Sequence, residues 1–167
     1  MKEVYIGIDP GAKGFMCLQV CGHSEIRYIP LRDGKEVNPE IRKTLESIVV
    51  DFKDIIACVE QVHAMPGQGR TSIFTFGVNY GYILGILHAY AIPVVHVPPM
   101  VWQREMWTAP DKVRTADGKI NTKQTSYLAA RRLHPTLTFR RNERCKNFDD
   151  NMVDATLICD YAIRKNL

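Results

Sequence analysis

The chain has 167 residues, of which 46% are hydrophobic and 24% charged, with a formal net charge of +4. This is the composition of an ordinary globular protein with room for one substantial core, and it excludes a disordered, collagen-like or disulfide-scaffold chain. The most apolar long stretch, YILGILHAYAIPVV, is too short to span a bilayer and contains His88 and Pro93, so no membrane partner is expected. Along the chain, EVYIGID, GFMCLQV and SEIRYIPL read as three consecutive strands joined by the turns PGAKG and CGH. NPEIRKTLESIVVDF is an amphipathic helix capped by Asn38, with Pro39 at its first position and Ile41, Leu45, Ile48 and Val49 on one face. DIIACVE is a buried strand ending in Glu60, QVHAMPGQGR a loop, and TSIFTFGVNYGYILGILHAY a long helix. IPVVHV is a fifth strand, and PPMVWQREMW starts a short helix at a proline pair. Residues 108–120 read as a mobile loop, NTKQTSYLAARRLHP as a basic helix stopped by Pro135, and DDNMVDATLICDYAIRK as the closing helix.

Three hairpin-connected strands followed by alternating helix and strand predict an α/β fold, a mixed five-stranded sheet flanked by helices. That order resembles a ribonuclease-H-like domain, here a single one over residues 1–167. The amino end begins on a strand pattern rather than on a cleavable apolar core. The five cysteines are an odd number without a C-x-x-C pair, which fits reduced thiols and a cytoplasmic location. Charge is unevenly spread. Lys112, Arg114, Lys119, Lys123, Arg131, Arg132, Arg140, Arg141, Arg144 and Lys146 face only Asp117 and Glu143 in the same segment, a local balance of +8. A basic third on a mildly acidic remainder points to a polyanion-binding surface.

Four carboxylates stand where a fold of this kind assembles sites. Asp9 ends the first strand among glycines, in YIGIDPGAKGF, and Glu60 ends a strand that should be central. Asp150 and Asp154, four apart, lie on one face of the closing helix beside its apolar row. At about 5 Å and an effective dielectric near 20, each like-charged pair costs roughly 3 kcal/mol. Protons or divalent cations must therefore compensate them. Oxygen ligands without His or Cys favour Mg²⁺ or Mn²⁺, and a carboxylate-held metal pair about 3.5–4 Å apart is suited to in-line attack on a phosphodiester. Taken singly, each acid also has a structural reading: Asp9 as a turn cap, Glu60 paired with Arg70, Asp150 and Asp154 favouring the helix dipole.

In the order GIDPGAKG, VEQVHAMPGQG, SIFTFG, VPPMVWQ and DDNMVDATLICDYA, the sequence resembles RuvC-like Holliday-junction resolvases, most closely their bacteriophage-type branch, over nearly its whole length. The resemblance implies a homodimeric, Mg²⁺-dependent endonuclease with two ions per site, Mn²⁺ substituting, that nicks opposed strands of a four-way DNA junction. It implies the cytoplasm as its location, that of the host cell for a phage-encoded chain. By motif position, Asp9 would bridge both ions, Glu60 would hold one, and Asp150 and Asp154 the other. It also implies a lysine at the scissile phosphate, with Lys119 and Lys123 the candidates and Lys123 preferred because it falls on a helix. Bacterial members read D-x-x-D in the last motif, where this chain has Asn151. The registration is therefore open among Asp149, Asp150 and Asn151. Asp150 is preferred because it lies about 40° from Asp154 around a helix and brings a charge, whereas Asp149 lies about 140° away.

DNA contacts are expected from Arg70, Lys112, Arg114, Lys119, Lys123, Arg131, Arg132, Arg140 and Arg141, with Phe74 as an apolar wedge at opened base pairs and Phe76 packing the helix. His63, His96 and Trp102 read as structural. Gly77, Gly81, Gly85 and Ala89 recur every fourth residue, a smooth strip that packs either on its own sheet or on a two-fold mate, with the mate favoured. Two other functions are compatible with the pattern: a non-cleaving branched-DNA-binding protein of the same fold, and an RNA-cutting ribonuclease-H-like enzyme.

Overall fold

The computed structural model describes residues 2–11, 13–23, 25–61 and 69–167, with Arg70 and Ser72 as backbone only. Expectations on His63 and on the Arg70 side chain therefore lie outside the described residues. In chain order the elements are β1 (Val4–Asp9), β2 (Phe15–Val20), β3 (Ile26–Pro30), β4 (Arg32–Asp33), β5 (Glu36–Val37) and α1 (Glu40–Asp51). They continue with β6 (Ile55–Glu60), α2 (Arg70–Ala89), β7 (Val94–Val97), α3 (Pro99–Met106), α4 (Thr122–Leu133) and α5 (Asp150–Lys165). The main sheet runs β3-β2-β1-β6-β7. β1, β2 and β3 form an antiparallel meander, and β6 and β7 continue from β1 in parallel. This is the predicted mixed five-stranded sheet with helices on both faces.

Strand alternation divides the core. Val4, Ile6 and Ile8 of β1 and Ile55, Ala57 and Val59 of β6 point to the side covered by Ile41 and Leu45 of α1 and Ile83 and Leu87 of α2. Tyr5 of β1 and Ile56 and Cys58 of β6 point the other way, onto Trp102 of α3, Ala129 of α4 and Leu157 of α5. By the same period, Asp9 and Glu60 belong to this second face. The parallel register, with Ile8 opposite Val59, brings the two acids to matching ends of adjacent strands.

The caps explain where the helices begin. Asn38 Oδ1 accepts from Glu40 N at 3.0 Å, the capping role predicted for it, and Asn121 Oδ1 accepts from Gln124 N at 3.1 Å ahead of α4. The RDGKEV stretch, not assigned from the sequence, closes into the small β4–β5 hairpin, with Gly34 at positive φ in its turn. One expectation needs correction. Residues 108–120 are a hydrogen-bonded segment rather than a mobile loop. The reason is Asp111, buried in a 3₁₀ turn over Ala109–Asp111. It accepts from the Thr108 amide and hydroxyl at 2.7 Å each, and from Arg132 Nε and Nη2 at 3.1 and 2.9 Å. Thr115 N to Lys119 O (2.8 Å) and Asn121 N to Val113 O (2.8 Å) complete the segment.

α5 lies unusually close on β1. A Cβ at Gly7 would stand 2.3 Å from Ala155 O and 2.4 Å from Cys159 N, both backbone atoms that a rotamer change cannot move. Gly7 is what lets helix and strand touch through their main chains, two residues before Asp9 and one residue after Asp154. Gly7→Ala is expected to destabilise the protein by at least about 3 kcal/mol; urea unfolding checks this, and a midpoint within error of wild type would contradict it.

Candidate metal centre

Asp9, Glu60 and Asp154 lie at one end of the sheet on the α5 face, near enough to feel one another's charge. Asp9 is buried, and its Oδ1 accepts from Gly11 N at 3.0 Å in the tight turn after β1. Burial, followed by the charges of Glu60, Asp150 and Asp149, pushes its carboxyl up to about 7 against the bond from Gly11. Asp154 is raised well above the ordinary range, by burial first and then by Asp9, with the Ser126 hydroxyl donating to it and Glu60 and Asp150 adding repulsion. Its Oδ1 is buried without a hydrogen-bond partner among the described residues. Glu60 is raised by burial, opposed by Trp102, whose indole Nε1 donates to Oε1 at 2.8 Å.

Asp150 and Asp149 have different tasks, and the geometry separates them. Asp149 is the N-cap of α5: Oδ1 accepts from Asn151 N at 3.0 Å and from Asn151 Nδ2 at 2.9 Å, while Oδ2 pairs with Arg141. Burial raises its carboxyl, but these bonds outweigh burial and hold it below the ordinary range. Asp150 Oδ2 pairs with Lys123 Nζ at 2.5 Å. That hydrogen bond, followed by the charges of Asp150, Asp154 and Asp149, raises the Lys123 ammonium above its usual value. Asn151 also faces the centre, its Oδ1 standing 3.7 Å from a Cβ built on Gly11, a point 3.2 Å from Asp9 Oδ1.

Of the two lysine candidates, Lys123 is therefore at the carboxylates. Lys119 pairs with Asp117 at 2.9 Å out on the 108–120 segment. Among the described residues no group of three or more His, Cys, Asp or Glu side chains is close enough to form a finished cation cage. The carboxylates feel one another's charge, yet Asp150 is turned to Lys123 and Glu60 to Trp102.

The basic segment divides as well. Arg132 is committed to Asp111 and to Met106 O, and Arg131 Nη1 donates to Leu137 O at 2.6 Å, so both brace the fold. Arg141 pairs with Asp149 and lies over the Phe15 ring. Arg114 donates to Gly118 O at 2.6 Å, and Lys112 and Arg140 are exposed. On α2, Phe74 is 74% exposed and Val78 41% exposed, while Phe76 stacks on Tyr80. Tyr80 also meets His96 Nδ1 at 3.1 Å, a structural contact for that histidine. Among the described residues, Gly77, Gly81 and Gly85 have nothing within 4 Å of a built Cβ, so the strip stands clear of its own sheet.

The sequence did not single out Ser126 or Asn79 as parts of the centre. Asn79, 1% exposed on α2, donates from Nδ2 to Gly11 O at 3.2 Å and accepts from Arg32 Nη1 at 2.8 Å. A lone Asn on an apolar helix was the available signal. Trp102, read as core, is core and also the donor to Glu60.

No protein-family model matches the sequence, and neither does any curated protein. Solved structures do match in shape. Thermus thermophilus RuvC in complex with a Holliday-junction substrate aligns with a TM-score of 0.59 at 15% identity, over 97% of this chain and 96% of that one. A further Thermus thermophilus RuvC structure aligns over 98% and 96% at 19% identity, with a TM-score of 0.47. At 15% identity the first alignment speaks to the fold. This is a ribonuclease-H-like fold. Among the described residues no helix is long and apolar enough to cross a membrane.

The raised carboxyls set a pH dependence for the metal-free protein. Folded Asp9 holds its proton to about pH 7 against a reference of 3.8, so the native state binds more protons than the unfolded one between those values. Stability then falls as pH rises through that window. Thermal unfolding in chelator should give a Tm several degrees higher near pH 5.5 than near pH 7.5, with Asp9→Asn removing much of the difference. A flat wild-type profile would contradict the desolvated cluster.

Proposed function

We propose that the chain, read as one nuclease domain over residues 1–167, is a divalent-metal-dependent endonuclease that cuts branched DNA at four-way junctions. The observation that carries this reading is the buried, unpartnered Asp154 Oδ1 beside an Asp9 carboxyl raised to about 7. Such a group needs a proton or a cation. The donor set fits a hard dication, since it is all oxygen and its members repel one another.

Asp9, Glu60, Asp150 and Asp154 would hold two Mg²⁺ ions, with Mn²⁺ able to substitute and Asn151 adding a neutral oxygen at the rim. When bound, the ions would neutralise charge on the scissile phosphate and lower the pKa of the attacking water. The chain's own residues then have distinct tasks. Gly11 N orients the Asp9 carboxylate, Trp102 Nε1 holds Glu60 and Ser126 holds Asp154. Lys123 Nζ, held by Asp150 in the metal-free chain, would turn to a non-bridging phosphate oxygen once that carboxylate is engaged. Lys112, Arg114, Lys119 and Arg140 would serve as backbone contacts, because they are exposed and are not tied into the core as Arg131 and Arg132 are.

A homodimer completes the reading. The open glycine strip of α2, with Phe74 and Val78 beside it, supplies a smooth apolar face for a two-fold contact, and two opposed cuts need two sites. Sedimentation equilibrium should give a dimer for the wild type and a folded monomer for Gly81→Arg; a wild-type monomer would contradict the contact.

End-labelled synthetic junctions, beside linear duplex and DNA–RNA hybrid controls, test the activity itself. Asp9→Asn should lower nicking by on the order of 10³-fold or more while junction binding stays equal or tightens. Asp150→Asn should follow it, with partial rescue by Mn²⁺. Asp149→Asn should cost less than about tenfold, because Asn also caps helices. Equal losses from Asp149→Asn and Asp150→Asn would overturn the ligand assignment, and wild-type cleavage of the hybrid alone would overturn the substrate.

A further inference from the structure

A cleft of about 730 Å³ opens against the start of α5. Its walls come from the β1–β2 turn, the β3–β4 corner and the segment before α5. Asp149 and Asp150 form part of one wall, so the cleft adjoins the carboxylates. Three cations stand on it: Lys13, Arg32 and Arg141. Two of these are fixed. Arg32 is held by the buried Asn79, which also grips the Gly11 carbonyl of the Asp9 turn, and Arg141 lies over Phe15 with its Nε on Asp149. Asn147 adds an amide, and Pro30 and Phe148 add apolar surface, Phe148 being stacked on Tyr127 at 4.0 Å.

We propose that this cleft is a subsite for one nucleotide of the DNA strand, the one next to the phosphate that lies on the carboxylates, and that it sets a base preference at that position. The inference rests on the nuclease reading above. The volume lies in the range of small-molecule sites and far exceeds what a lone phosphate would fill. Fixed cations suit the phosphodiester, while an amide edge and an apolar wall suit a base. A base at a crossover is also cheaper to unstack than one inside a duplex. Asn79 joins the two sites. By holding Arg32 and the Gly11 turn together it fixes the spacing between the cleft and Asp9.

Cys145 lines the cleft as a half-buried free thiol, and Cys21, equally half-buried, sits past the far end of β2 as an internal control. In chelator, where nothing is cut, a saturating four-way junction should slow N-ethylmaleimide alkylation of Cys145 at least about tenfold in the wild-type chain and leave Cys21 unchanged. With Mg²⁺ restored and junctions randomised at the crossover, Arg32→Ala and Asn147→Ala should each flatten the base preference at one position flanking the cut and lower the rate. Asn147→Ala, on an exposed loop, serves where Arg32→Ala fails to fold. Junction binding without protection of Cys145, or an unchanged base profile in Asn147→Ala, overturns the subsite and leaves the nuclease reading standing. Absence of any branched-DNA binding overturns both.

Discussion

α5 reaches β1 only because residue 7 has no side chain. With the helix backbone against the strand, Asp154 is carried to the end of the sheet where Asp9 and Glu60 already stand. Water leaves the space between them, and the remaining electrostatics follow. Burial is the first cause of the raised Asp9, Glu60 and Asp154 carboxyls, and their mutual charge adds to it. A helix pushed outward by even a methyl group would rehydrate the acids and lose the centre together with much of the core.

The surroundings limit this repulsion without removing it. Trp102 and Ser126 each give one hydrogen bond to an acid, and Lys123 supplies a positive charge in direct contact with Asp150. Asp149 is neutralised locally by its capping role and by Arg141, which leaves the first turn of α5 with a single acid free to serve the centre. The division of labour continues in the basic third. Arg132 holds α4 to the preceding segment, where Asp111 is its buried acceptor, and Arg131 holds the segment after α4, so a cluster that looks uniform in sequence is partly structural.

Much of this was legible beforehand for identifiable reasons. Apolar runs in VYIGID and IIACVE mark the strands that Asp9 and Glu60 end, and the capping residue Asn38 marks a helix start by local chemistry alone. Asp149 parts from Asp150 for a different reason than rotation around a helix, because it is the N-cap and stands outside the helix. Long-range partnerships were not legible. Nothing near Asp111 in sequence announces an arginine 21 residues away, so residues 108–120 read as an unstructured loop. The same holds for Asn79, whose partners lie 68 and 47 residues distant, and for the glycine strip, which only tertiary structure shows to stand clear of its own sheet among the described residues.

The central claim is that this desolvated carboxylate cluster is a cation site held in a protonated, waiting state. Titration calorimetry of Mg²⁺ into the metal-free protein near pH 6.5, repeated in buffers of different ionisation enthalpy, tests it most directly. Cations that displace protons from Asp9 and Asp154 must give an apparent heat that changes with buffer. The account predicts saturable binding of two ions with net proton release, both diminished in Asp9→Asn. Saturable binding with a buffer-independent heat, or no binding at all, would contradict it.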